Sequence, residues 1–269
     1  MLGHTITVFF DRISAVEYLL GQKAPEERPI PPHGSSMIDT SFNVYNDANG
    51  GDPDATSPTL RRYHKLLWSK PLPSGDLFYL RDDKPGFYLF HGSTLGDFSL
   101  GSDAITHSYR NQINKKWLTT QVPKEVQELF DFGSTISAYI IFPNNQVDRQ
   151  HTINQARGIS RLIDDRFDLT LECIKRFYFN EPSPLADALG RYAAFFRLFE
   201  TFEGYVQFFL LNDLVDEQGG VKFYLSFDDF QSPPKFADQG DYLTYKGRVE
   251  SFIRSRSRRI EEYVEQMKT

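Results

Sequence analysis

The chain has 269 residues and sets 30 Lys and Arg against 36 Asp and Glu, a net charge of -6 with a pI near 5.6. That balance disfavours a generally basic nucleic-acid binder or a polycationic membrane binder, because no overall field draws the chain to phosphate. Cys173 is the only cysteine, which excludes an intrachain disulfide and a four-cysteine zinc site and points to a reducing, cytoplasmic compartment.

The N-terminal run MLGHTITVFF lacks a basic flank and soon meets Asp11 and Arg12, so it does not read as a signal peptide. No apolar run approaches the ~20 residues that span a bilayer, and the protein is expected to be soluble with no membrane partner. Segments 22–36 and 46–57 are rich in Pro, Gly, Asp and Asn and read as irregular surface chain around a short strand at 41–45. Ser57 followed by Pro58 is an N-cap with proline at the first helical position, which starts a helix through about Trp68. The runs 77–81 and 87–91 flank the turn sequence DDKPG and predict a hairpin, with a further strand at 98–105. Helical character returns at 107–118 and 124–130, and TISAYIIF at 135–142 is the strongest strand signal.

The second half reads as helical. One long amphipathic helix is predicted over 151–179, opened by Thr152 with Gln155 three residues on, the spacing of a capping box. Ser183 and Pro184 start another, with Leu185, Leu189, Tyr192, Phe196 and Phe199 on one stripe. The segment 202–215 reads as a buried helix, 221–227 as a strand, and 242–267 as a long closing helix. The 24 Phe, 14 Tyr and 2 Trp recur largely at helical or strand spacing and are assigned to core. The fold class is therefore α+β, a strand-rich N-terminal half packed with a mainly helical C-terminal half in a single domain over 1–269.

Three sequence features bear on chemistry. Arg157 and Arg161 lie one turn apart near the start of the 151–179 helix, where the helix dipole is positive and favours anions. Cations there need a compensating partner, either a carboxylate from elsewhere in the fold or a bound anion. With Thr152 they form the candidate anion site. Next, Asp164-Asp165-Arg166-Phe167-Asp168 matches DDxxD and resembles the aspartate-rich signature of isoprenoid diphosphate synthases, which hold magnesium against diphosphate. On a continuous helix Asp164, Asp168 and Glu172 would share a face, yet Arg161 with Asp165 and Glu172 with Arg176 also have the i,i+4 spacing of an ion-pair ladder, the reading adopted here. Third, His91-Gly92-Ser93 resembles the His-Gly-Ser/Thr signature of ADP-ribosyltransferases, which would make His91 and Gly92 ligands of NAD. A turn containing Gly and Ser accounts for the same residues without a cofactor.

Asp47-Ala48-Asn49 begins like a calcium loop, but Asp52 stands where glycine is required. The histidines are dispersed without metal-ligand spacing, so no metal and no cofactor is assigned. Arg254, Arg256, Arg258 and Arg259 form a basic cluster read as a solvated helix face, and nucleic acid is not the expected partner.

At YHKLLWSKPLPSG (63–75), HTINQARG and DRFDLTLECI, the chain resembles a bacterial and phage-associated family of uncharacterised proteins, over about 56–230. The resemblance implies a bacterial cytoplasm and gives no reaction. Two functions are carried forward: a binding or regulatory protein without catalysis, and an enzyme acting on a phosphorylated or nucleotide-like substrate. A phosphate-containing small molecule on Thr152, Arg157 and Arg161 is the partner that goes with the second. In the second, His91, Asp165 and Asp168 would be the chemical groups, by ADP-ribosyl-type or metal-diphosphate chemistry. The oligomeric state is left open.

Overall fold

The structure, a computed structural model, describes residues 38–267. The N-terminal run and the irregular segment 22–36 lie outside the described residues. The expected strand at 41–45 is replaced by a single 3-10 turn, Val44–Asp47, capped by the Asn43 side chain. A short helix α1 (Pro53–Thr56) and the predicted helix α2 (Pro58–Trp68) follow. Ser57 Oγ accepts from the Leu60 N–H at 3.1 Å, which satisfies one of the donors a helix start leaves over. Leu60, Tyr63, His64, Leu67 and Trp68 form the buried face of α2, the i, i+3, i+4 spacing of a core-facing stripe.

The strands make two small antiparallel sheets. β1 (Lys70–Pro71) pairs with β2 (Leu77–Phe78) across a turn in which Gly75 has a φ of +89°, a conformation glycine adopts without a Cβ clash. β3 (Leu89–Ser93), β4 (Gly96–Ala104) and β5 (Tyr139–Pro143) form the second, with β4 central. Phe90 lies opposite Ser99, and Ser102 opposite Ile141. The hairpin expected across DDKPG is reduced to one bridge between Arg81 and Phe90, and the ladder of β3 forms with β4 on its other edge. The strand signal at 135–142 holds from Tyr139, while Ile136–Ala138 is a 3-10 turn.

Helices α3 (Lys116–Gln121) and α4 (Pro123–Phe132) lie between β4 and β5 in sequence. The predicted helix over 151–179 is two helices, α5 (Ile153–Ile159) and α6 (Phe167–Tyr178). The capping box forms as expected, with Thr152 N–H donating to Gln155 Oε1 at 3.0 Å and Gln155 N–H to Thr152 Oγ1 at 3.3 Å. The chain then turns through Asp164 and Asp165, both left-handed with φ of 50° and 58°, a region that aspartate tolerates better than most side chains. In a continuous helix the 13 residues from Arg157 to Thr170 would span about 20 Å. Here Arg157 Nε donates to Thr170 Oγ1 at 3.0 Å. The break is what lets those two groups meet.

α7 (Ala186–Arg191), α8 (Ala193–Arg197) and α9 (Phe202–Phe208) replace the longer helices expected at 183–199 and 202–215. Leu185, Leu189, Tyr192, Phe196 and Phe199 are all buried as the stripe predicted. The expected strand at 221–227 is irregular chain attached by one bridge, Val215 to Val221. α10 (Gln239–Gln266) closes the described fold. The strand content of the first half and the helices of the second give an α+β class, and one hydrophobic cluster takes in Ile38, Leu100, Ile140, Phe199 and Val264 alike. No helix among the described residues is long and apolar enough to cross a membrane.

The C-terminal basic cluster does not form one solvated face. Arg254 and Arg258 are exposed, and Arg259 pairs with Asp213 at 2.6 and 3.1 Å. Arg256 is fully buried, and Nη1 donates to the carbonyls of Ser137 and Tyr139, both at 2.8 Å. Nε and Nη2 donate to the carbonyl of Phe209 at 3.3 and 3.0 Å. Burial pushes its guanidinium down to about 9, since no carboxylate among these contacts offsets the loss of water. Replacing it with Met would leave three buried carbonyls unpaired, each at roughly 1–3 kcal/mol. We expect Arg256→Met to lower unfolding stability by more than ~3 kcal/mol in urea titration and Arg254→Gln to change it by less than ~0.5 kcal/mol; equal effects would refute this role.

Candidate functional site: a basic groove beside a buried ion pair

Arg157 lies in α5 with its guanidinium almost wholly buried. It forms an ion pair with Asp103 of β4, donates to Thr170 of α6, and through Nη2 reaches the carbonyls of Asp165 at 3.3 Å and Ala104 at 3.5 Å. Its donors are therefore engaged inside the protein. Thr152 is occupied by its capping box and is itself buried. The alternative of a carboxylate partner from elsewhere in the fold is what the structure displays for Arg157. Arg161 is different: it is exposed, in the turn after α5, and makes no hydrogen bond or ion pair among the described residues.

The DDRFD residues do not share a helix face. Asp164 sits in the left-handed turn and pairs with Lys115, while Asp165 is half-buried beside Arg157. Asp168 is fully buried: Oδ1 accepts from Arg166 Nε at 3.1 Å, and Oδ2 takes the second Arg166 contact and the Tyr224 N–H at 2.8 Å. It thereby fastens the irregular 221–227 chain onto α6. The i,i+4 ladder survives only in its second rung, Glu172 with Arg176 at 2.9 Å, because the turn removes Arg161 and Asp165 from a common helix. Among the described residues no three His, Cys, Asp or Glu side chains converge as a metal site.

His91 is buried, with its ring 4.1 Å from that of Phe78 and stacked on Phe98 at 6.2 Å. Nδ1 lies 3.1 Å from the Tyr79 carbonyl, so Nδ1 carries the proton and donates. Burial holds the imidazole below its ordinary range, and it stays neutral at pH 7. His91 lines neither of the grooves described below.

A serine, a histidine and a carboxylate do meet elsewhere, unsuspected from the sequence. His64 Nε2 is 2.9 Å from Ser102 Oγ, and Asp54 of α1 lies against Ser102. The directions of the bonds decide the chemistry. Trp68 Nε1–H donates to His64 Nδ1 at 3.0 Å, so the proton of the neutral ring is on Nε2 and points at the serine. A histidine in that tautomer cannot remove the serine proton, as nucleophile activation requires. Burial drives the His64 imidazole down to about 3, which fixes it as neutral. The cluster is a buried hydrogen-bonded chain tying α2 to β4.

Among the described residues, two surface grooves bear on the site. One, of about 520 Å³, is lined by Phe223, Leu225, Phe227 and Thr244 with one acid, Asp241, and one base, Arg248. Arg248 is committed to the carbonyls of Phe223 and Tyr224 at 2.9 and 3.2 Å. The other, of about 500 Å³, gathers Lys115, Arg161 and Lys235 around Asp164, with Trp117 and Phe236 as aromatic walls. Lys115 pairs with Asp164 and lies 4.2 Å from the centroid of the Tyr109 ring. Arg161 and Lys235 face the groove with no carboxylate partner of their own among the described residues. Arg161 and Asp164 were legible as candidates. Lys115, Trp117 and Lys235 were not, because stretches far apart in sequence build the site.

Burial also sets the pH behaviour of this region. Asp54 is pushed up to about 8 by burial first and by the neighbouring Asp103 and Asp52 charges next, and Asp103 to about 6 by burial against the pull of Arg157. The native state thus keeps a proton on Asp54 that the unfolded chain releases near 3.8. Stability is therefore expected to fall as pH rises from about 4 to about 8. Asp54→Asn removes the titration, so melting temperatures of wild type and variant should diverge in favour of the variant between pH 5 and pH 8.5; parallel pH profiles would contradict it.

Comparison with known proteins bears on the same residues. No curated protein and no solved structure matches the chain. The sequence pattern of a family of unknown function, DUF6994, matches residues 38–260, which include α1 through most of α10 and every residue of both grooves. The chain belongs to that family.

Proposed function

We propose that the protein is a binding protein for a small phosphorylated, nucleotide-like molecule, held in the groove of Lys115, Arg161 and Lys235. The observation that carries this reading is the charge imbalance of that groove: three cations against the single carboxylate of Asp164, in a chain whose net charge is negative. Such a concentration of positive charge in an acidic protein attracts anions locally without making the whole surface basic. A guanidinium and two ammonium groups suit phosphate oxygens, Arg161 through its planar fork and the lysines as point charges. Trp117 offers a flat apolar face within the same groove, against which a base or similar ring can stack.

The helix start at Thr152 is replaced in this reading by the turn that follows α5, with Arg161 kept as a ligand. Binding without catalysis is favoured because His91 and Asp168 are consumed in the core. The bacterial cytoplasm is the setting that the family resemblance implies and the one adopted here.

Titration calorimetry with pyrophosphate and with ADP at fixed ionic strength tests the proposal. Losing one charge-assisted contact costs about 1.5–3 kcal/mol, so Arg161→Gln and Lys235→Gln should each weaken binding roughly tenfold or more. Arg254→Gln, on the exposed face of α10, should leave it unchanged. ADP should quench Trp117 fluorescence where pyrophosphate does not. No binding of either ligand, or equal affinity in all four proteins, would sink the assignment.

A further inference from the structure

Lys70, in β1, is a buried lysine without an anion to pair with among the described residues. It is 8 % exposed, and its Nζ makes no hydrogen bond or ion pair among the described residues. Three rings surround that nitrogen: Trp68 at 5.0 Å, Phe208 at 4.7 Å and Tyr263 at 4.7 Å to their centroids. They come from α2, α9 and α10, so the cage is assembled by tertiary packing. A charged neighbour is the buried Arg256, whose guanidinium lies 5.6 Å from the centroid of the Trp68 ring. A compact ammonium loses strong hydration in such a place and meets a like charge, and both effects favour the neutral amine.

We propose that Lys70 is a nucleophilic amine that binds a small uncharged aldehyde covalently, as a Schiff base within the Trp68, Phe208 and Tyr263 cage. The Nζ lone pair attacks the carbonyl carbon to form the C–N bond, and the carbonyl oxygen takes up a proton while the nitrogen gives one to solvent. The hydroxyl of the resulting carbinolamine takes a further proton from solvent and leaves as water, while the nitrogen lone pair closes the C=N bond and leaves the nitrogen as a protonated iminium. No oxidant or reductant takes part, and hydrolysis reverses the sequence. The iminium product spreads its charge and is less strongly hydrated than an ammonium, so burial penalises it less, while the ring faces still attract it. The rings also supply the apolar contact that an aldehyde with a short hydrocarbon tail would need. Burial, followed by the charge of Arg256, brings the Lys70 amine down to about 7, so a large share of it is nucleophilic at neutral pH, in the manner of lysines activated by a dry site and a neighbouring cation. This site is separate from the groove of Arg161 and stands or falls independently of it.

The test uses the full chain with propanal and cyanoborohydride, which reduces each imine to a stable alkylamine that peptide mass spectrometry locates. Lys124, whose side chain is 81 % exposed, is the internal reference. At pH 7 Lys70 should be alkylated at least tenfold faster than Lys124 despite its burial, with a rate that rises to a plateau slightly above pH 7. In denaturing urea the advantage should vanish. Lys70→Arg, which keeps a cation in the cage and removes the amine, should lose the fast-labelled fraction while circular dichroism shows the fold retained. Labelling of Lys70 no faster than Lys124, or a fast fraction that persists in Lys70→Arg, would overturn the proposal.

Discussion

The ion pair between Arg157 and Asp103 governs the arrangement around it. Asp103 lies on the central strand of the larger sheet, and Arg157 lies on a helix that begins 50 residues later. A guanidinium in that position has to find acceptors in every direction, and it finds them on β4, on α6 and in the turn between α5 and α6. Removing one partner of such a pair would cost about 3–5 kcal/mol, because the other charge would stay buried and uncompensated. The helical segment therefore breaks where it does, and the break puts Arg161 and Asp164 beside Lys115. The basic groove is a by-product of satisfying a buried charge.

Arg166 and Arg256 solve the same problem in different ways. Arg166 is held by Asp168 two residues on, at the start of α6, whereas Arg256 is held by three main-chain carbonyls contributed by the 136–139 and 209 regions. In the case of Arg256 a planar fork of donors spans separate segments and takes up their main-chain carbonyls. Ser137 lies in a single 3-10 turn, Tyr139 opens the outer strand β5 and Phe209 follows the end of α9, positions where regular pairing leaves carbonyls over. Arg256 takes up those carbonyls and locks the long closing helix against them. The aromatic cage around Lys70 is a consequence of that docking, since Tyr263 reaches it from the same helix.

Local chemistry was legible in the sequence and distant contacts were not. Ser57 with Pro58 and Thr152 with Gln155 each act within a single turn of helix, and the structure forms them as read. The break after Ile159 was missed because its cause, Thr170 and Asp103 reaching for one guanidinium, is tertiary. The 221–227 segment alternates enough to suggest a strand, but Asp168 binds its Tyr224 N–H and leaves no ladder to form. Arg256 carried a usable signal. It falls three residues after Ile253 and four before Ile260 on the buried face of α10, a position where the 3.6-residue period demands a core side chain. In the basic groove, Asn114 to Trp117 and Pro233 to Phe236 are joined by folding alone, and nothing in either stretch announces the other.

The single bridge between Arg81 and Phe90 also guards an edge. β3 is the outer strand of its sheet, and an outer strand offers unpaired N–H and C=O groups to any extended chain that drifts past. Here Arg81 and Phe90 exchange both of their main-chain hydrogen bonds at 2.8 Å. Charge then surrounds that bridge: Arg81 is paired with Asp83, and the Lys84 ammonium lies 3.9 Å from the Phe90 ring. A foreign strand arriving there would have to displace a formed bridge and desolvate three charged side chains, with Pro85 adding a residue that has no N–H to give. The aborted hairpin thus works against intermolecular strand addition, which helps a chain so rich in phenylalanine and tyrosine to stay out of amyloid-like association.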